Sequence, residues 1–284
     1  YYGEACFFRA YDNWMLAQYY SDAYETSTAS TSMGVPVVLK YAPTGNSENY
    51  PSRGTLQQTY DQILADLEEA EKFVTRKGVS QSSSITTDVI TAFKARVALG
   101  MKDYDTARIA AEAVIATKKY TLVSNATTYA EGWINDNLSE TIFQLAMINS
   151  TEVGNAYSYF LYNSSGIEGR DNPQYIPEDW VLDLYDKNKD IRYAAYFDER
   201  TVTTPVVGKM TLLIKYPGNP KLYTKVTNYC NMPKVFRASE MYLIAAEAEY
   251  LSPNGSIAKA NSYLNDLRKA RIKGWSEKTY AGEA

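Results

Sequence analysis

The residues able to do chemistry in this chain are few, and their types narrow the reaction classes at once. Histidine is absent from all 284 positions. Its absence removes Ser-His and Cys-His nucleophilic sites and every His-ligated metal site. The two cysteines, Cys6 and Cys230, are too few for a disulfide framework or a thiolate metal cluster, and buried free thiols are their expected state. Paired carboxylates of the glycoside-hydrolase kind remain. Glu240, Glu247 and Glu249 stand in one helical segment and Glu68, Glu69 and Glu71 in another. At such spacings helical acids form a solvated face or pair with a nearby base, as Arg237 should with Glu240. Asp183, Asp186 and Asp190 lack the order and the closing Glu of a calcium loop. No catalytic residue, metal or cofactor is assigned.

Binding chemistry is better represented. A flat ring for C–H contacts beside planar polar forks for vicinal hydroxyls is what sugar recognition needs. Tyr157, Tyr159, Tyr162, Asn163, Arg170, Asp171, Asn172 and Tyr175 supply both within one stretch, with Ser164, Ser165, Gly166 and Gly169 between them. An ordinary exposed loop has a similar composition. Tyr41, with Asn46 and Tyr50, forms a weaker second cluster. The 26 tyrosines do not decide the matter, because an amphipathic ring also suits helix packing. Trp133 and Trp180 are tempting platforms, but each stands where a large apolar core residue is expected. Trp14 and Trp275 belong to helical segments and read as core.

The elements that must position these groups are mainly helices. Phe7, Phe8, Tyr11, Met15 and Tyr19 recur along one face of residues 4–20. Thr55 and Gln58 form a capping box opening a helix over about 55–74. Thr86 or Thr87 caps a helix with the stripe Val89, Ile90, Phe93, Val97 and Leu99, and Gly100 stands where a glycine cap belongs. A turn over 101–103 returns the chain as a helix over about 104–117. Two more helices are expected over 237–251 and 257–272, separated by Pro253, Asn254 and Gly255.

The second helices share a 3, 4, 3 apolar spacing: Tyr60, Ile63, Leu67, Ala70; Tyr104, Ala107, Ala111, Val114; Ile257, Ala260, Leu264, Leu267. Paired with short turns and small alanines, they resemble tetratricopeptide repeats, though without a regular 34-residue period. The fold class expected is all-α: tetratricopeptide-like helix pairs forming a scaffold in a single domain over 1–284. Long irregular insertions with a few short strands interrupt it, chiefly about 120–236, where Thr141 to Leu145 and Met210 to Tyr216 read as strands. Insertions of that length are usually functional. A net charge of −4 with no basic stripe argues against a nucleic-acid binder. No apolar run reaches the roughly 20 residues a bilayer span needs.

RASEMYLIAAEAEYL at 237–251, followed by LNDLRKARI at 264–272, closely resembles the signature segment of the SusD/RagB family. GEACFFRAYDNWMLAQYYSDAY (3–24), MGVPVVL (33–39), YDQILADLEEA (60–70), KARVALGMKDYDTARIAAEAVI (94–115), ETIFQLA (140–146) and WVLDLYDKNKDIRYAAYF (180–197) resemble further family segments in order. The resemblance implies a cell-surface, outer-membrane lipoprotein that binds a glycan or other oligomeric nutrient. It implies hand-over to a SusC-like TonB-dependent barrel, with no covalent chemistry and membrane contact only through a lipid anchor. The family's N-terminal portion and the acidic-basic segment after the signature helices are not in the sequence, so the chain reads as truncated at both ends. A peptide-binding helical-repeat adaptor and a two-carboxylate glycoside hydrolase are the alternative functions.

Overall fold

A computed structural model describes residues 1–41, 43, 45–147, 170–203, 207–222 and 230–281. The chain divides into two units. Unit 1 comprises Tyr1–Gly78, Ser84–Lys118 and Glu240–Ala260, and unit 2 comprises Val79–Ser83, Lys119–Ser239 and Asn261–Ala284.

Unit 1 is helical. α1 (Tyr2–Tyr20) packs on α2 (Leu56–Phe73), and α3 (Thr87–Gly100) packs on α4 (Tyr104–Ala116). The expected capping box opens α2: Thr55 Oγ1 accepts the Gln58 N–H at 3.2 Å, and the Gln58 side chain accepts the Thr55 N–H at 2.9 Å. Thr86 caps α3 and Asp103 caps α4. Tyr60, Ile63, Leu67 and Ala70 are buried, as are Ala107, Ala111 and Val114. Their small and branched side chains allow close helix approach. The third stripe is weaker, because Ile257 is 48% exposed. Gly100 is the last residue of α3 rather than its left-handed cap. Lys102 takes the positive φ of 62° two residues on, while Met101 N–H bonds Val97 O at 3.0 Å. α8 (Ala238–Leu251) lies mainly in unit 1, and α9 (Ile257–Arg271) begins there and continues into unit 2. Among the described residues, no helix is long and apolar enough to cross a membrane.

Unit 2 mixes short elements: strands do fall on the runs expected from Thr141 and Met210, and the others were not announced by periodicity. α5 (Ala126–Ile134), capped by Asn125, buries Tyr129, Gly132 and Trp133 at the i, i+3, i+4 spacing of one helix face. β1 (Thr141–Gln144) comes next, then α6 (Asp179–Asp183) and α7 (Ile191–Tyr196). β2 (Phe197–Val202) pairs antiparallel with β3 (Gly208–Leu213), from Phe197 opposite Leu213 to Val202 opposite Gly208. β1 pairs antiparallel with β4 (Lys234–Arg237) through an irregular register. The core gathers Val123, Tyr129, Trp133, Leu138, Leu182, Ile191, Ala195, Tyr196 and Phe197. Gly132 is required at its position, because an added Cβ would lie 2.6 Å from the Leu138 side chain and 3.1 Å from its Cα. The fold class is all-α with tetratricopeptide-like helix pairs and a few short strands.

Candidate functional site

Most of the acids that composition left open are engaged structurally. Glu240 receives the Arg96 guanidinium, with Nη2 at 2.7 Å, so its partner is Arg96 and not Arg237. A helical i, i+3 pairing is pre-empted because Arg237 ends β4 while Glu240 opens α8. Arg237 instead faces Glu140 at 3.9 Å. Glu249 accepts from Lys259 at 3.0 Å and from the Ser256 N–H at 2.6 Å. Glu69 pairs with Lys72 and Glu71 with Lys94. Asp186 and Asp190 accept backbone N–H groups of their own turns, and Asp190 also holds Arg192 at 2.6 Å. Cys6 and Cys230 are buried free thiols.

The aromatic candidates separate in space. Tyr157, Tyr159, Tyr162 and Asn163 lie outside the described residues. Tyr41 is 94% exposed and belongs to unit 1. Within that second cluster Asn46 caps a short turn of 3-10 helix through the Glu48 N–H. Arg170 and Asp171 are half-buried and Asn172 is exposed. Asp171 extends the edge of β2: its N–H bonds Thr201 O, its carbonyl accepts from Thr203, and its carboxylate faces Arg200 at 3.5 Å. That carboxylate is turned to Arg200, which limits it as a hydroxyl fork.

Tyr175 is 64% exposed and borders a cavity of about 400 Å³ in unit 2, whose wall includes Tyr185, Tyr196, Phe197, Leu213 and Lys215. Three local features build this wall. The segment through Ile176 and Pro177 leads into α6, a helix too short to bury more than Leu182. α7, capped by Asp190, delivers Tyr196. The hairpin of β2 and β3 then sets Phe197 opposite Leu213 and runs on to Lys215. Tyr185 meets Phe197 edge-on at 5.4 Å, and the Tyr129 and Tyr196 hydroxyls share a hydrogen bond of 2.5 Å. Burial pushes the Tyr196 hydroxyl far above the ordinary tyrosine range.

Behind the wall is a buried polar network. Asp136 accepts from Lys234 at 2.8 Å, Asn231 at 3.1 Å and Asn219 at 3.0 Å. It adopts a positive φ of 55°, a conformation that Asp tolerates better than most residues. Glu140, fully buried, pairs with Arg271, whose Nη1 also donates to Val123 O at 2.7 Å. Trp133 lies among these groups, with Lys215, Lys234 and Arg237 at 4.8, 5.0 and 5.2 Å from its ring centre.

Trp133 is core, as expected, at 1% exposure, but Trp180 is 67% exposed. The expectation of a core role fails there because α6 has only five residues, and its first turn carries Asp179 beside the ring. Trp14 and Trp275 are half-buried. Lys215 and the ring wall escaped notice. The available signal was a lysine inside the otherwise apolar run MTLLIKY, sharing strand parity with Leu213.

The comparisons with known proteins converge on one family. A family profile described as starch-binding and associating with the outer membrane matches residues 1–99. A SusD-like protein of Formosa agariphila is 30% identical over 95% of this chain and 57% of its own length. A SusD superfamily protein of Bacteroides thetaiotaomicron superposes with a TM-score of 0.75 at 26% identity, over 96% of this chain and 59% of that one. A surface glycan-binding protein A of Bacteroides uniformis gives 0.70 at 20% identity, over 98% and 60%. The chain thus spans under two thirds of the relatives it matches.

Proposed function

The chain belongs to the SusD-like family, and on that premise we propose that it captures a glycan at the cell surface for uptake through a TonB-dependent outer-membrane barrel. The family description speaks of starch binding and outer-membrane association. The similarly folded Bacteroides uniformis protein is a surface glycan-binding protein. Carried to this chain, those statements support glycan binding at the outer membrane; a lipid anchor, hand-over to the barrel and the lack of covalent chemistry are what the family resemblance adds to the proposal.

The observation that carries the reading is the ring-walled cavity of unit 2 with Tyr175 exposed at its border. Sugar C–H faces pack on such rings, and a few polar groups fix orientation in a partly preformed site. Glu240, Glu249, Glu69 and Glu71 are held by Arg or Lys side chains, which supports binding over hydrolysis.

Calorimetry against a panel of oligosaccharides tests this, with reducing ends assayed after incubation. We expect binding without release of reducing ends. Tyr175→Ala should cost about 2 kcal/mol, roughly thirtyfold in affinity, at an unchanged melting temperature, since an exposed ring leaves no core cavity. No binding across the panel, or hydrolysis, ends the reading.

A further inference from the structure

Among the described residues, no carboxylate forms an ion pair with Lys215. Its ammonium lies 4.8 Å from the Trp133 ring centre and 4.9 Å from that of Tyr196. Lys234 and Arg237 approach the same tryptophan, and Arg271 lies 4.8 Å over the neighbouring Tyr129 ring. Four cations therefore crowd one aromatic cluster. The carboxylates facing them among the described residues are Asp136, which holds Lys234 and two asparagines, and Glu140, which holds Arg271 and faces Arg237. Neither carboxylate pairs with Lys215. Ring faces attract a cation by about 1 to 2 kcal/mol, yet they do not neutralise it. A half-buried charge among like charges is costly unless an anion arrives to meet it.

Lys215 also lines the cavity. We propose that this cavity takes a sugar bearing an anionic group, a uronate carboxylate or a sulfate ester, with Lys215 as the counter-ion and the Tyr175 and Tyr185 rings against the pyranose face. This rests on the glycan-binding reading and specifies its substrate class. The positive field is reinforced by Lys234 and Arg237, so a neutral sugar leaves the surplus charge uncompensated. The same field, after burial as the first cause, lowers the Lys215 pKa to about 8. The ammonium is thus still about ten-to-one protonated at pH 7. Titratable neighbours are Tyr175, Tyr185 and Tyr196 on the wall, Tyr216 beside it, and Asp136, Glu140, Lys234 and Arg237 behind. Tyr196 and Tyr216 are pushed up by burial, while burial lowers Lys234 as it does Lys215.

The test titrates the full chain by calorimetry with a trigalacturonate, a sulfated galacto-oligosaccharide and a neutral trisaccharide, using wild type, Lys215→Met and Lys215→Arg. Wild type should prefer one acidic arm over the neutral sugar by roughly ten- to hundredfold, the size of a charge-assisted hydrogen bond. The arm that binds distinguishes carboxylate from sulfate. Lys215→Met should abolish that preference, and Lys215→Arg should keep much of it. The acidic preference should fall above about pH 8 in wild type and show no such fall in Lys215→Met. Equal binding of acidic and neutral sugars, or a preference surviving in Lys215→Met with its fold intact by melting temperature, overturns the proposal. In that case Tyr175-dependent binding of the neutral sugar leaves the glycan reading standing. Absence of all three binding events overturns both.

Discussion

In unit 1 the buried acids meet bases that reach water. Asp66 pairs with Arg9 and Glu249 with Lys259, whose side chains are 35% and 53% exposed. In unit 2 Asp136 and Glu140 meet Lys234 and Arg271, at 0% and 3%. The hydrophobic setting differs in parallel. Around α2 and α4 it is Ile63, Leu67, Ala107, Ala111 and Val114, and around α5 and α7 it is Tyr129, Trp133 and Tyr196. A base that reaches solvent can rehydrate when its partner is lost. A fully enclosed base cannot, so the second arrangement is unforgiving of change while fixing the geometry of the rings it supports.

The severest break of this contrast is Asp136→Ala. It strands Lys234 without its carboxylate, removes an acceptor from Asn219 and Asn231, and puts Ala at a positive φ. A loss of about 4 kcal/mol is expected, within the range for breaking a buried pair. Adding Lys234→Met should return much of it, because no buried charge is then left alone. Chemical denaturation measures both, and a single-variant loss under about 1 kcal/mol would place this pair among exposed ones.

Ile63→Ala provides the unit 1 counterpart. Ile63 is fully buried in α2, and truncation there should cost about 3 kcal/mol through lost transfer energy and a residual cavity. No titratable group is involved in that loss. The cost should therefore be the same at pH 5, 7 and 9, whereas the Asp136→Ala loss should change as Lys234, lowered by burial, titrates.

Legibility from sequence follows the same division. The helices of unit 1 bury stripes of aliphatic residues with a 3.6-residue period, and they begin at side-chain caps such as Thr55 and Thr86 that have no other obvious purpose. Their positions could be read within a residue or two. α5, α7 and β4 are short and bury a mixture, with Tyr129, Gly132 and Trp133, Ile191, Ala195 and Tyr196, and Lys234 and Phe236, so no single period marks them. Gly132 is a close-packing point against Leu138 that no spacing signal marks. For the site, Tyr175 was legible as a ring beside polar residues. Lys215 was not, because its meaning lies in what surrounds it: two rings and two cations contributed by α5, α7 and β4.

Lys215→Met sharpens the comparison from the other side. The ammonium's pKa is lowered to about 8 by burial and then by Arg237 and Lys234, below the ordinary value near 10.4. In that window the unfolded chain binds more protons than the folded one, so wild-type stability should rise from about pH 8 to about pH 10 and fall back as pH drops through 8. Lys234, also lowered by burial, acts in the same direction. Above about pH 10 Tyr196 opposes it, since the folded state keeps a proton that an unfolded tyrosine loses. Replacing Lys215 by Met should stabilise the protein at pH 7 by on the order of 1 to 2 kcal/mol and flatten the rise. A destabilised variant at pH 7 would mean that the ring contacts outweigh the burial cost.

The smallest expected effect serves as the control on all of these. Thr55 Oγ1 satisfies the Gln58 N–H at the start of α2 in unit 1, and Asn125 Oδ1 satisfies the Thr128 N–H at 2.9 Å at the start of α5 in unit 2. Both caps lie near solvent, so a stranded N–H can turn to water, and each Ala substitution should cost about 1 kcal/mol. Thr55→Ala also loosens the reciprocal bond from the Thr55 N–H to Gln58, which adds a few tenths at most. Caps depend on local backbone geometry and not on what lies behind the helix. Equal, pH-independent losses in Thr55→Ala and Asn125→Ala are therefore expected, measured as shifts in the denaturant midpoint at constant slope. A markedly larger loss at Asn125 would show that unit 2 is fragile throughout, and the sensitivity of Asp136 could then no longer be ascribed to enclosed charge.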